Sequence, residues 1–180
     1  AYQRNSAFYP VIEMFEKYLF QFETADSPED KLIKLEGLLL ETKLDYKSEM
    51  ALLAEFLSIT TEQFPQLIMS PFAKRQKTMD SLTRLLSFKA NIQPVFFVLE
   101  DLHWADASTL EWLNQFIKEL PTHNIFALCT TRTNFRPDWK ESLDFKQIDL
   151  KRLSVEDIEE ICHHQTNGKT LPEEILKQIT

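Results

Sequence analysis

Through the first half of the chain apolar residues recur at three- and four-residue steps; beyond Pro94 they come in short unbroken runs. The first spacing keeps one side of a helix apolar, because about 3.6 residues complete a turn. Phe8, Val11, Ile12, Phe15, Leu19 and Phe22 predict one such helix. Ser27-Pro28-Glu29-Asp30 starts a second, with Ser27 as N-cap and Pro28 at the first helical position; Leu32, Leu35, Leu38 and Leu39 form its inner side. A third is predicted from about Ser48, with Met50, Leu53, Phe56 and Leu57 inward. A loop over residues 60–71 holds two prolines, and a fourth helix over about 71–90 turns Met79, Leu82, Leu85 and Leu86 inward. No repeat of fixed period suggests a solenoid.

Val95-Phe96-Phe97-Val98-Leu99 is a β-branched and aromatic run, the pattern of a strand buried on both faces in a parallel sheet. A helix over about 107–120 follows, with Leu110, Leu113, Phe116, Ile117 and Leu120 inward and Asp106 suited to cap it. Residues 125–130 read as a second buried strand. After a loop with Pro137, residues 145–150 read as a third, weaker strand. Strand, helix and strand at this spacing make a βαβ unit. The tail, 154–180, reads as two short helices, the first with Ser154 as N-cap and Glu156 and Asp157 in its first turn, where carboxylates suit the helix dipole. The fold class is therefore α/β: a helical region over 1–92, an α/β core over 93–152, and a helical segment over 153–180.

Charge narrows the partners. The net charge is −8, which speaks against nucleic acid, since that partner needs a basic stripe to displace counterions. No apolar run approaches the roughly 18–20 residues of a membrane span, and the start lacks the basic and apolar regions of a secretory signal. It also lacks an initiator Met, so an interior piece of a longer protein is expected. Two cysteines, Cys129 and Cys162, make no disulfide framework and read as buried thiols of a cytoplasmic protein.

The candidate chemistry sits where the first strand ends. Glu100 and Asp101 follow four or five apolar residues, and in open parallel sheets ligands bind beyond the carboxyl ends of the strands. An acid held there can take a magnesium ion through water while phosphate oxygens fill other ligand positions. Its neighbour can orient or deprotonate an attacking water. A plainer reading is two acids opening a solvent-facing loop. The continuation favours chemistry: Glu100-Asp101-Leu102-His103-Trp104-Ala105-Asp106 closely resembles the Walker B segment of the signal-transduction ATPases with many domains, the STAND class of the AAA+ P-loop NTPases. Many relatives have Asp where Glu100 stands, and the longer side chain shifts the carboxylate by a methylene; Glu-Asp is common among relatives fused to class III nucleotide cyclases. Asp106 reads equally as a helix cap, and His103 as a structural or supporting residue, since no partner lies at metal-ligand spacing.

Cys129-Thr130-Thr131-Arg132-Thr133 resembles the sensor 1 segment of the same class. An Arg suits the terminal phosphate because its planar fork binds phosphate oxygens in pairs and stays charged. Arg136, in the Pro137 loop, reads as surface. Gly168-Lys169-Thr170 looks like the end of a phosphate-binding loop but lacks the earlier glycine, the preceding strand and the following helix. With only Gly37 and Gly168 in the chain, no stretch can wrap a phosphate in backbone amides. His163 and His164 read as helix surface. Similarity extends to Asn5–Ile12, to Leu153-Ser154 and to Leu171-Pro172-Glu173, the last two matching the family's lid.

This resemblance implies a partial P-loop NTPase (ASCE/AAA+) sheet, preceded by the long helical region and followed by the start of a helical lid. It implies ATP and Mg2+ as cofactors. Glu100 and Asp101 would hold the metal through water, Glu100, Asp101 and Arg132 would act in catalysis, and Thr131 and Arg132 would contact nucleotide. The phosphate loop and its strand would lie upstream of Ala1, and the lid's Gly-x-Pro turn beyond Thr180. In the family that missing strand is expected between the two strands seen here, so residues 1–180 alone would carry a gap in the sheet, expose two edges and bind nucleotide poorly. The whole would be an ATP-binding and hydrolysing regulatory module of a multidomain signalling protein, linked to a cyclase upstream and helical repeats downstream, with a nucleotide-dependent oligomer among its expected states. The alternatives are a helical scaffold with a degenerate ATPase core and a nucleic-acid-loading relative; the acid pair with Arg132 argues against the first and the acidity against the second.

Overall fold

The computed structural model describes residues 7–42, 44–132, 135, 145–168, 172, 174 and 175. Arg136 with the Pro137 loop, Lys169, Thr170, Leu171 and most of the second tail helix lie outside them, as do the first six residues. The chain divides into two units, Ala1–Phe145 and Lys146–Thr180.

In the first unit the helices begin where local chemistry allows. Ser27 Oγ accepts from the Asp30 N–H while the Asp30 carboxylate accepts from the Ser27 N–H, a reciprocal cap that starts α2 (Pro28–Glu41). Ser70 caps α4 (Pro71–Ile92) through the Ala73 N–H. Helix α3 spans Tyr46–Phe56 and starts two residues before the expected Ser48. The first helix departs further from expectation. α1 (Tyr9–Met14) gives way to a π-helical turn, Phe15–Leu19, in which the Phe20 N–H donates to the Phe15 carbonyl. The wider turn rotates the face by one residue. Phe20, not Leu19 or Phe22, is the buried residue, and its ring meets Phe15 at 6.0 Å.

Strand β1 is Val95–Leu99 and strand β2 is Ile125–Cys129, joined by α5 (Ala107–Glu119). They pair parallel and directly, Val95 opposite Ile125 through Leu99 opposite Cys129. The expected gap between them is absent: the facing backbone groups of the two five-residue strands bond each other directly, which leaves no room for an intervening strand. The expected third strand is also absent. Residues 145–150 carry no ladder and are exposed, and the Gln147 amide donates locally to Asp149 Oδ1 at 2.5 Å.

The core lies on one side of this strand pair. Phe97, 3 % exposed, packs on Trp112 and Phe116 of α5, with ring centroids 6.0 and 5.2 Å away. Trp112 is fully buried and its Nε1–H donates to Thr83 Oγ1 of α4 at 3.1 Å. Leu35, Leu39, Met50, Leu53, Met79, Leu82 and Leu85 complete the same cluster. The opposite side of the strands is bare. Phe96 and Phe126 are 63 % and 66 % exposed, with Val98 and Leu128 beside them. Burial on both faces is thus not observed, because the only helix joining the strands packs beneath Phe97. Cys129, the last residue of β2, and Cys162, within α6, which buries none of its described side chains, are half-buried rather than buried.

The second unit contains α6, Val155–Gln165, started by a Ser154–Asp157 reciprocal cap like that of α2. No helix among the described residues is long and apolar enough to cross a membrane.

Candidate functional site

Parallel pairing in register ends both strands at the same level. The Thr130 N–H donates to the Leu99 carbonyl, and the Leu102 N–H donates to the Thr130 carbonyl at 2.9 Å. Between them the Asp101 N–H donates to Thr130 Oγ1 at 2.8 Å. Asp101 has φ 54° and ψ 46°, the left-handed region, where Asp is tolerated better than most residues. This turn ends the ladder and starts the short 3₁₀ segment Leu102–Trp104, closed by the Trp104 N–H on the Asp101 carbonyl. Thr130 therefore ties the acid-bearing tip of β1 to the end of β2. Thr131, the expected nucleotide contact, takes no part in this tie. The signal for Thr130 was its place as the first hydroxyl past the strand.

Glu100, Asp101, Thr131 and Arg132 are all exposed. The tips carrying them are adjacent, but no ion pair joins Arg132 to either acid among the described residues. The Arg132 carbonyl accepts from the Phe135 N–H, and the Thr131 hydroxyl makes only a long contact to it, 3.4 Å. Free carboxylate oxygens on a rigid tip suit a hard cation such as magnesium, which keeps several waters and takes one or two acids. Among the described residues no group of three or more His, Cys, Asp or Glu converges, so these side chains do not cage a metal unaided. No glycine-rich turn lies at the tips: Gly37 is within α2, and Gly168, at φ 87°, follows α6.

Two neighbours frame the tip. Asp106 caps α5: Oδ1 accepts from the Ser108 and Thr109 N–H groups and from the Phe8 N–H at 3.2 Å, and Oδ2 accepts from the Thr109 hydroxyl. Burial raises its pKa, but the hydrogen bonds from Thr109, Phe8 and Ser108 outweigh burial and hold it below the ordinary value. The cap expected from sequence is present, and it also anchors α1. Cys129 is pushed up to about 11 by burial, which leaves its thiol protonated and unreactive near neutrality. A cleft of about 450 Å³ lies away from the tips, between α3 and the start of α4, lined by Phe8, Phe56, Lys74 and Arg75 among others. Its cations are already paired, Lys74 with Glu55 and Arg75 with Glu111.

Compared with known proteins, the chain matches no family model, no curated protein and no solved structure.

Proposed function

We propose that these residues form the metal- and phosphate-sensing edge of an ATP-hydrolysing regulatory module, of the P-loop kind that the Glu100–Asp106 and Cys129–Arg132 segments resemble. The observation that carries the reading is the Asp101–Leu99–Thr130 tie, which sets the acid pair beside the hydroxyl and Arg segment at the carboxyl ends of two parallel strands. In this reading Glu100 holds a water-shelled magnesium ion, Asp101 polarises the attacking water, and Arg132 contacts the terminal phosphate, with Thr131 a weaker contact. The metal supplies charge neutralisation on the phosphates. A phosphate loop from upstream residues completes the site; because β1 and β2 already pair, its strand joins an outer edge of the pair and not the middle. The module serves as a slow switch in a multidomain, cyclase-linked signalling protein.

The test is ATP turnover in the protein extended upstream to include a phosphate loop. Glu100→Gln, Asp101→Asn and Arg132→Ala are each expected to lower kcat by about 10²-fold or more, the usual scale for a lost base or charge stabiliser. Wild-type turnover in all three variants removes the catalytic assignment and leaves the helical scaffold.

A further inference from the structure

His103 occupies an unusual position beside the acid pair. Its side chain is only 16 % exposed, against 72 % for Asp101. Both ring nitrogens are shielded from solvent, and neither makes a hydrogen bond. A buried polar group without a partner is costly, so the imidazole is in want of one. The ring rests on Trp104, centroids 5.6 Å apart, within the turn fixed by the Leu102 and Trp104 N–H bonds. The one carboxylate within ion-pair reach among the described residues is Asp101, with Oδ1 3.9 Å from Nδ1. A small rotation of the exposed Asp101 side chain, about 1 Å at the oxygen, brings it to hydrogen-bond distance. The imidazole, packed on Trp104, cannot make the same adjustment as easily.

We propose that His103 is the positioning residue for Asp101: its Nδ1–H donates to Asp101 Oδ1 and leaves Oδ2 directed outward. The inference deepens the ATPase reading and rests on it for the consequence, though not for the contact. Such a bond fixes the tautomer of the imidazole and the plane of the carboxylate together. An exposed carboxylate otherwise samples many orientations, and only some present an oxygen to a water. His103 would thus act through Asp101 and not on the nucleotide.

Two measurements test this separately. On the 180-residue chain, long-range proton–nitrogen NMR at a pH where the imidazole is neutral is expected to give the Nδ1–H tautomer for His103. In Asp101→Ala it is expected to revert to Nε2–H. An Nε2–H tautomer in the unaltered chain, or no response to Asp101→Ala, overturns the contact. In the upstream-extended protein, His103→Phe is expected to lower kcat about tenfold, the lower end for lost supporting bonds, with KM changed less than twofold. His103→Asn, which keeps an N–H near the place of Nδ1, is expected to recover most of that loss. Equal losses in both variants, or none in either, overturn the positioning role. Should turnover ignore Glu100→Gln and Asp101→Asn while the tautomer responds to Asp101→Ala, the ATPase reading has failed, the positioning role falls with it, and only the contact stands.

Discussion

The two faces of the β1–β2 pair are built from the same two apolar runs and meet opposite surroundings. Below, Phe97 lies against Trp112 and Phe116 and is 3 % exposed. Above, its neighbour Phe96 meets the Phe126 ring across the pair at a tilt, 5.6 Å between centroids, and is 63 % exposed. Side chains alternate along a strand, so one residue of displacement is enough to exchange a core position for a bare one. An all-apolar strand carries no alternation to announce which face is which. What distinguishes them is the amphipathic helix α5, whose apolar stripe can cover one face only.

The largest effect expected from this difference is at Phe97. Phe97→Ala leaves a cavity against two aromatic rings, and urea unfolding should show a loss of about 3–5 kcal/mol. Phe96→Ala, one residue away, should change stability by less than about 1 kcal/mol. Comparable losses at both positions would mean that the upper face is covered in solution and would erase the contrast.

A smaller effect tests the floor beneath the buried face. Asp106 holds α5 and α1 together by accepting from Ser108, Thr109 and Phe8. Asp106→Ala should cost about 1–2 kcal/mol at neutral pH, the range of a lost cap. The sign with pH is fixed by the lowered pKa. The charged carboxylate contributes stability above its ordinary value near 3.8, and that contribution is lost as pH falls through the lower folded value. The gap between wild type and Asp106→Ala in unfolding midpoints should therefore narrow in acid. A gap that widens as pH falls would contradict the assignment.

Much of this was legible in the sequence because it is local. The reciprocal caps at Ser27 and Ser154 follow from residues three apart, and β1 was bounded by Pro94 and Glu100 on either side. Asp106 was recognisable as a cap for the same reason, though its reach to Phe8, 98 positions away, was not. What escaped depends on packing between distant elements. The π turn exists because Phe15 and Phe20 both turn inward; helical spacing alone selected Leu19 and Phe22. Trp112 lay off the aliphatic stripe and is fully buried, its indole satisfied by Thr83 on another helix. The pairing of β1 with β2, on which the candidate site depends, is a choice of neighbour that no single strand encodes. Thr130 became visible as a tie only once that pairing was known. The acid pair itself was legible from composition and position, since charges directly after an apolar strand are conspicuous wherever the strand goes.

The smallest expected effect makes the sharpest test of the bare face. Replacing both Phe96 and Phe126 with Thr puts β-branched residues of good strand propensity at paired positions. It removes one ring–ring contact, worth about 0.5–1.5 kcal/mol beyond area, and little buried surface, because both rings are already about two-thirds in water. Against that loss stands the relief of exposed aromatic area in the folded state. The net change in unfolding free energy should be within about 1 kcal/mol of zero, while binding of an apolar dye such as ANS should fall markedly, since contiguous exposed apolar patches are what such dyes report. A double variant that loses several kcal/mol without losing dye binding would place Phe96 and Phe126 in a core, and the two faces would have to be regarded as alike.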